Sequence, residues 1–382
     1  VNERGAHVLF AGAWDDGPGY PRTRSLSAGI EAAGIEVREC REPGPGRSKQ
    51  ALLAAPWRLP GAWWQQQRQR QRLVERVRTE LLARRPRCLV VPYPGHAVVT
   101  ALRAVTDVPI VLDLFLSAYD TVVEDRQLVR PGSLGAAWLQ RLDTRACAAA
   151  DLVLLDTPCN AAYAALLTGL PGARFGWLPV GDPDAPASVT ASEPSANGRL
   201  RLLFFGTGVP LHGLDVLLDA LAHVPAVELT LVGGHRDDRA QATALLGGRL
   251  RLEPAFVDRA RLQELLAQSQ LVAGVFGRSG KAQRVVPFKV VHALAAGRPV
   301  ITADTPALGA WLDGCGALFP VPAGDAAALA RELQALVAAP QRVLAAAAHA
   351  RAAFDRHFAV PCLARRWREL LTRLDGDRLE AA

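Results

Sequence analysis

The chain has 382 residues, half of them hydrophobic, and a formal net charge of +7. That length exceeds one ordinary hydrophobic core and predicts two domains. No apolar run reaches the roughly 18 residues that a membrane-spanning helix needs, and the opening residues VNERGAHVLFAGAW read as a first strand, not a signal peptide. Cys40, Cys88, Cys147, Cys159, Cys315 and Cys362 are scattered without a C-x-x-C pair. Their spacing argues against a metal finger or disulfide framework and fits a reducing cytoplasm. A basic balance suits nucleic acid, an anionic membrane surface or phosphorylated small molecules. With no zinc-finger spacing and no aromatic-basic ribonucleoprotein motif, nucleic acid is set aside.

HVLFAGAW (His7–Trp14) reads as a buried strand, and the Gly/Pro loop after it carries Gly17 and Gly19. A helix ending at Gly34 and the strand IEVREC follow. The chain thus opens as a doubly wound sheet, whose first loop is a usual place for ligands. That loop is not G-x-G-x-x-G, so it does not point to a nicotinamide dinucleotide. Residues 57–85 break the rhythm. Leu73, Val74, Val77, Leu81 and Leu82 form an apolar stripe at helical spacing, arginines fill the other face, and Trp57, Trp63 and Trp64 precede it. Tryptophan with arginine on an amphipathic element suits the surface of an anionic membrane, here the inner face of the cell membrane. Packing of the stripe on the sheet is the alternative.

CLVVPYPG (Cys88–Gly95) and PIVLDLFLS are the next buried strands. His96 follows the first and Asp113 lies near the end of the second, so both are candidates for one site at neighbouring carboxyl ends. For His96 a helix cap is the alternative. AYDTVVEDRQLVRPGS reads as a polar loop and LGAAWLQRLDTRACAAA as a helix. LVLLDT, a helix from Pro158 and RFGWLPVG complete a first domain, 1–182. The Pro/Ala/Ser-rich stretch 183–198 reads as a linker. Asp182-Pro-Asp184 spells D-x-D, a metal-diphosphate motif of some transferases, and is read here as chance.

The pattern then restarts as a second domain, 199–360. RLLFFGTG is a strand opening into Gly206-Thr207-Gly208, and VPLHGLDVLLDALAHV is a helix with His212 and Gly213 at its start. The stretch Leu271–Pro306 reads as strand, long loop, helix and strand, with Pro287 in the helix's first turn and Gly297 just past its end. Arg278, Lys281, Arg284 and Lys289 arrive together at that helix start, where free N–H groups and the dipole add their pull on an anion. At a strand's carboxyl end in an open parallel sheet, the expected anion is a nucleotide's phosphate. A solvated basic loop is the alternative. The last helix, within 361–382, is long enough to cross back to the first domain.

FFGTGVPLHGLDVLLDAL, KVVHALAAGRPVITADTPAL and ALFPVPAGDAAALARELQAL resemble three successive segments of the retaining glycosyltransferases of the GT-B fold, family 4-like. KAQRVVPFK and LDLFLSAYDTVVEDR resemble a bacterial and archaeal subgroup acting on polysaccharides or lipids. The resemblance covers nearly all of the second domain and, more loosely, the first from Cys88 onward. It implies an α/β architecture of two doubly wound Rossmann-like domains facing a central cleft, acceptor domain first and nucleotide-sugar domain second. It also implies sugar transfer from a nucleotide-diphosphate sugar to a lipid-linked, polysaccharide or other hydroxyl acceptor, with retention, without a metal and without a further cofactor. Under that resemblance His96 touches the transferred sugar and Asp113 orients the acceptor hydroxyl or sugar. Gly17, Gly19, Thr207, Gly208, His212, Lys281, Arg284, Lys289 and His292 bind the donor, with Lys281 and Arg284 on the diphosphate and His292 on a ribose hydroxyl. This chain departs from the family where His212-Gly213 replaces a Lys-Gly pair and where Arg284 and His292 replace the glutamates of E-x7-E. Two other functions stay open: a sugar-nucleotide 2-epimerase of the same fold, and a catalytically inactive nucleotide-sugar-binding partner subunit.

Overall fold

The computed structural model describes residues 7–14, 21–43, 59–187, 189 and 197–381. The chain divides into two compact units, one of Val1–Thr121, Val129–Pro179 and Val360–Ala382, the other of Val122–Leu128 and Val180–Ala359.

In the first unit β1 (His7–Trp14), α1 (Pro21–Ala32), β2 (Glu36–Pro43), α2 (Leu59–Ala83), β3 (Leu89–Val91), α3 (His96–Arg103), β4 (Ile110–Asp113), α4 (Leu134–Ala148), β5 (Leu152–Leu155), α5 (Pro158–Thr168) and β6 (Phe175–Trp177) follow one another. The strands form one parallel sheet in the order β2-β1-β3-β4-β5-β6. A parallel sheet is covered on both faces, which is why β4 and β5 are buried at every residue. Local signals fix the helix ends. Thr157 accepts from Asn160 N at 3.0 Å to cap α5, Pro158 sits in its first turn, and Gly169 at φ 68 stops it.

The apolar stripe of α2 packs on this sheet, with Leu73 and Val77 buried in its core. Arginines on it and just past its end pair with nearby carboxylates, Arg76 with Glu42 at 3.2 Å, Arg84 with Glu36 at 2.9 Å and Arg85 with Asp107 at 2.7 Å. The described part of α2 therefore has the geometry of an ordinary surface helix. The side chains of Trp57, Trp63 and Trp64 lie outside the described residues.

The second unit runs β7 (Leu200–Gly206), α6 (Leu214–Ala222), β8 (Val227–Gly233), α7 (Arg236–Leu246), β9 (Leu250–Leu252), α8 (Arg259–Gln268), β10 (Leu271–Ala273), α9 (Gly280–Arg284), α10 (Phe288–Ala295), β11 (Val300–Ala303), α11 (Pro306–Leu312), β12 (Leu318–Val321), α12 (Ala326–Ala338) and α13 (Pro340–His357). Its sheet is also parallel, in the order β12-β11-β10-β7-β8-β9. The winding reverses between β7 and β10.

The last helix, α14 (Val360–Ala381), packs on the first unit. Leu363, Trp367 and Leu371 join the cluster that holds Leu26 and Ile30 of α1, and Trp367 Nε1 donates to the Leu26 carbonyl at 3.1 Å. A Cβ at Gly29 would sit 2.8 Å from Trp367 Cδ1, so a glycine there lets the two helices approach.

The basic stretch after β10 differs from the single helix the sequence suggests. Ser279 caps a separate short turn, α9, by accepting from Ala282 N at 3.3 Å. The chain then runs extended through Val285 and Pro287, and α10 starts at Phe288. Pro287 holds the preceding residue out of helical conformation, so it stands before α10 and not within its first turn. Gly297, at φ 67, follows the end of α10.

Candidate functional site

Ligands of doubly wound sheets sit where the winding reverses, outside the carboxyl ends of the strands. In the second unit the loops leaving β7 and β10 meet at that place. Gly277 N donates to the Leu211 carbonyl at 3.1 Å and Phe276 N to the His212 carbonyl at 3.0 Å. A Cβ at Gly213 would sit 2.6 Å from Gly277 N, and Gly213 is left-handed at φ 58. A Cβ at Gly233, φ 89, would sit 2.0 Å from the Gly206 carbonyl oxygen. Glycine meets both the steric and the conformational demand.

Two side chains converge on the end of β7. The Cβ position of Gly206 lies 3.0 Å from His212 Nδ1 and 3.2 Å from Lys289 Nζ. Neither nitrogen has a hydrogen-bond partner among the described residues. Lys289 is 5% exposed, and its Nζ stands 3.9 Å from the centroid of the Phe204 ring. A desolvated cation–π contact contributes about 2 kcal/mol. Removing an ammonium from water costs several kcal/mol. Burial therefore prevails and pulls the Lys289 pKa well below the ordinary lysine range. Burial, the foremost cause, pushes His212 down to about 2. No carboxylate contributes to either shift. A lysine and an imidazole without a counter-charge among the described residues form a site suited to an anion.

The other sequence-predicted donor residues are placed differently. Thr207 is exposed and Gly208 is left-handed at φ 76, both in the loop after β7. Arg278 donates to the Gly324 carbonyl at 2.6 Å. Lys281 is buried on α9. Arg284, read from sequence as a phosphate ligand, instead pairs with Glu124 at 3.3 Å, and Ser279 beside it donates to Asp125 Oδ1 at 3.0 Å. Glu124 and Asp125 lie on a turn whose residues from Val122 to Leu128 belong to this unit. The expected convergence of four cations on one helix start is thus corrected: carbonyl and carboxylate partners draw Arg278 and Arg284 elsewhere, and Lys289 faces the end of β7.

His292 is also engaged. Its ring packs against Phe288 with centroids 4.1 Å apart, and its Nε2 lies 3.4 Å from Asp182 Oδ2. Burial, opposed by Asp182, lowers His292 to about 4. Asp182 is itself buried and held by Arg259 at 2.9 and 3.0 Å. The D-x-D residue is therefore an anchor for the start of the second unit, and the imidazole expected on a ribose is its neighbour.

In the first unit His96 opens α3, and its Nε2 lies 2.9 Å from Asp143 Oδ1. Asp143 is fully buried and also accepts from Ala118 N at 3.0 Å, Tyr119 N at 3.0 Å and Ser117 Oγ at 2.7 Å. Burial alone would raise its pKa. The hydrogen bonds, that of His96 foremost, outweigh burial and hold the carboxyl below the usual aspartate value. An ionised Asp143 requires Nε2 of His96 to carry a proton and donate it to Oδ1. The sequence reading missed Asp143. Its signal was present: it falls on the buried stripe of α4 with Leu139, Ala146 and Cys147, where the period calls for an apolar residue.

Asp113 is held by an ion pair within the first unit. It is fully buried at the end of β4, and Arg22 from α1 binds its Oδ1 through Nε at 3.0 Å and Nη2 at 2.7 Å. Arg22 also donates to the carbonyls of Leu155 and Leu178. Burial raises the Asp113 pKa and Arg22 opposes it. This ion pair ties α1 to the sheet. Gly17 and Gly19 lie outside the described residues. Among the described residues no group of three or more His, Cys, Asp or Glu is placed to hold a metal ion, and no helix is long and apolar enough to cross a membrane.

Residues 199–339 match the family model described as glycosyl transferases group 1. HepE from Anabaena, solved with UDP and glucose, superposes with a TM-score of 0.66 at 16% identity over 97% of this chain and 100% of its own. Sucrose-phosphate synthase from Thermosynechococcus elongatus gives 0.68 at 17% identity over 98% and 100%. The fold is GT-B. A UDP-forming trehalose-phosphate synthase from Burkholderia xenovorans is similar more distantly, with a TM-score of 0.53 at 15% identity over 81% of this chain and 79% of its own. HepE has also been solved with UDP-glucose. No curated protein matches the sequence.

Proposed function

We propose that this GT-B chain is a glycosyltransferase that moves a sugar from a nucleotide-diphosphate sugar to a hydroxyl on a lipid-linked or polysaccharide acceptor, with retention. One observation carries the reading: the buried Lys289 amine and His212 Nδ1, without hydrogen-bond partners among the described residues, converge on Gly206 where the second sheet's winding reverses. The match of residues 199–339 to glycosyl transferases group 1 and the UDP-bound relative of the same fold support it. In this reading the bond between the sugar's anomeric carbon and the diphosphate breaks with its electron pair going to the phosphate oxygen, the acceptor oxygen bonds to that carbon on the same face, and the acceptor's proton passes to the departing phosphate oxygen. Positive side chains neutralise that growing charge in place of a metal. His96, fixed in one tautomer by Asp143, meets the transferred sugar through Nδ1.

The test is a panel of nucleoside diphosphates and their sugars. A ligand at a hundred times its Kd stabilises the protein by about 2.7 kcal/mol, a readily measured rise in Tm. One of UDP, GDP or ADP is expected to give it, and the matching sugar nucleotide to release diphosphate when acceptor is added. No shift with any of them removes the reading. Binding without turnover over a broad acceptor set favours the inactive partner subunit.

The proposed peripheral contact with an anionic membrane surface has two candidate segments. Residues 57–85 are one, although the described part of α2 packs on the sheet. The other is α4, which exposes Leu134 by 92% and Trp138 by 63%, with Arg141 and Arg145 exposed at the following helical spacings. Flotation with phosphatidylglycerol vesicles at low salt separates them. Trp138→Ser is expected to weaken flotation severalfold. Loss in Trp63→Ser/Trp64→Ser, with Trp138→Ser unchanged, returns the contact to residues 57–85.

A further inference from the structure

We propose that Lys289 is a proton-coupled grip: the side chain rests uncharged against Phe204 and, as a diphosphate arrives, takes up one proton and becomes the cation that holds it. The proposal rests on the nucleotide-diphosphate reading and deepens it.

The argument is one of surroundings. Lys289 Nζ is sealed from water, has no hydrogen-bond partner among the described residues and lies over an aromatic face. From β7 it meets Phe204 and Gly206, which do not titrate. From the turn before α6 it meets His212, a base that burial keeps neutral. On its own helix the other titratable group, His292, faces Asp182. Among the described residues no negative charge lies near the amine to balance an ammonium, so the protonated form is disfavoured until an anion supplies it. The amine stands by the end of β7, beside the exposed Thr207. A diphosphate entering that loop brings the missing charge. The proton comes from solvent, a new N–H bond forms on Nζ, and the buffer base is left deprotonated. Departure of the nucleotide reverses the step.

The sign follows from linkage. The complex holds more protons than the free protein, so affinity falls as pH rises, by up to about tenfold per pH unit where the free amine is neutral and the bound one charged.

The experiment titrates the full chain with UDP, GDP and ADP by calorimetry in buffers of different ionisation enthalpy, above about pH 7.5, where the nucleotide's own phosphates are ionised. Wild type is expected to take up close to one proton per nucleotide bound. Lys289→Met is expected to bind at least about tenfold more weakly with no uptake, while its Tm without nucleotide is equal to or above that of wild type, because a buried amine is removed. Lys289→Arg, permanently charged, is expected to bind without uptake, and His212→Asn to retain the uptake. Binding by wild type with no proton uptake, or unchanged uptake in Lys289→Met, overturns the proposal while leaving the nucleotide reading standing. Absence of binding by wild type to all three nucleotides overturns the reading itself and the proposal with it.

Discussion

Arg22→Met is expected to destabilise the first unit by about 3–5 kcal/mol, because it leaves a buried carboxylate without its cation. Arg22 supplies Asp113 with two hydrogen bonds and serves the carbonyls of Leu155 and Leu178 as well. Methionine fills much of the volume and offers none of these donors. The loss should depend on pH in a definite direction. Burial already raises the Asp113 pKa, and removing Arg22 raises it further. A carboxyl whose folded-state pKa is raised contributes its stability below the unfolded value and loses it as pH rises through the folded value. The deficit of the variant should therefore be largest near neutral pH and shrink towards about pH 4. Replacing both partners, as Arg22→Met/Asp113→Leu, should recover most of the deficit, since an apolar pair needs no counter-charge. Urea denaturation followed by tryptophan fluorescence reads this, with Trp14 and Trp367 both buried in that unit. Equal deficits at both pH values, with no recovery in the double variant, would show that the pair carries no such weight.

The strands and the two doubly wound units were legible because parallel sheets leave long apolar runs, such as HVLFAGAW and RLLFFGTG, between turn residues. Gly297 stops its helix at the place its type implies. What escaped was pairing across long stretches of chain. Arg284 meets Glu124 and Arg259 meets Asp182, partners 160 and 77 residues away, which no local window contains. The sequence pattern placed Arg284 beside Lys289 as one cation cluster; the fold gave Arg284 a carboxylate and left Lys289 by the end of β7. The stripe of α2 shows the reverse difficulty. Its apolar spacing is the same whether a sheet or a membrane covers it, and the described side chains pack on the sheet.

The second large effect is expected at the other end of the proposed reaction. His96→Ala should lower kcat by about a hundredfold or more, in the range that one positioned proton-transfer or sugar-contacting side chain contributes. Nucleoside-diphosphate affinity should not change, because the proposed anion site is built from residues of the second unit. Asp143→Asn should approach the same kcat, although Asp143 is a positioning residue. An amide presents two hydrogens where the carboxylate accepts, so either His96 or the Ser117–Tyr119 turn loses its partner. Each buried donor left unsatisfied costs about 1–3 kcal/mol, so stability should fall as well. The two consequences separate by pH. A carboxyl held below its usual pKa contributes stability above the unfolded value, near about pH 4, and loses it as pH falls through the folded value. Wild type should show that acid loss and the asparagine variant should not. If Asp143 serves structure alone, the folded fraction of Asp143→Asn turns over like wild type. If it sets the tautomer of His96, kcat stays low in fully folded protein, KM for the sugar nucleotide holds, and the pH–rate profile shifts with it.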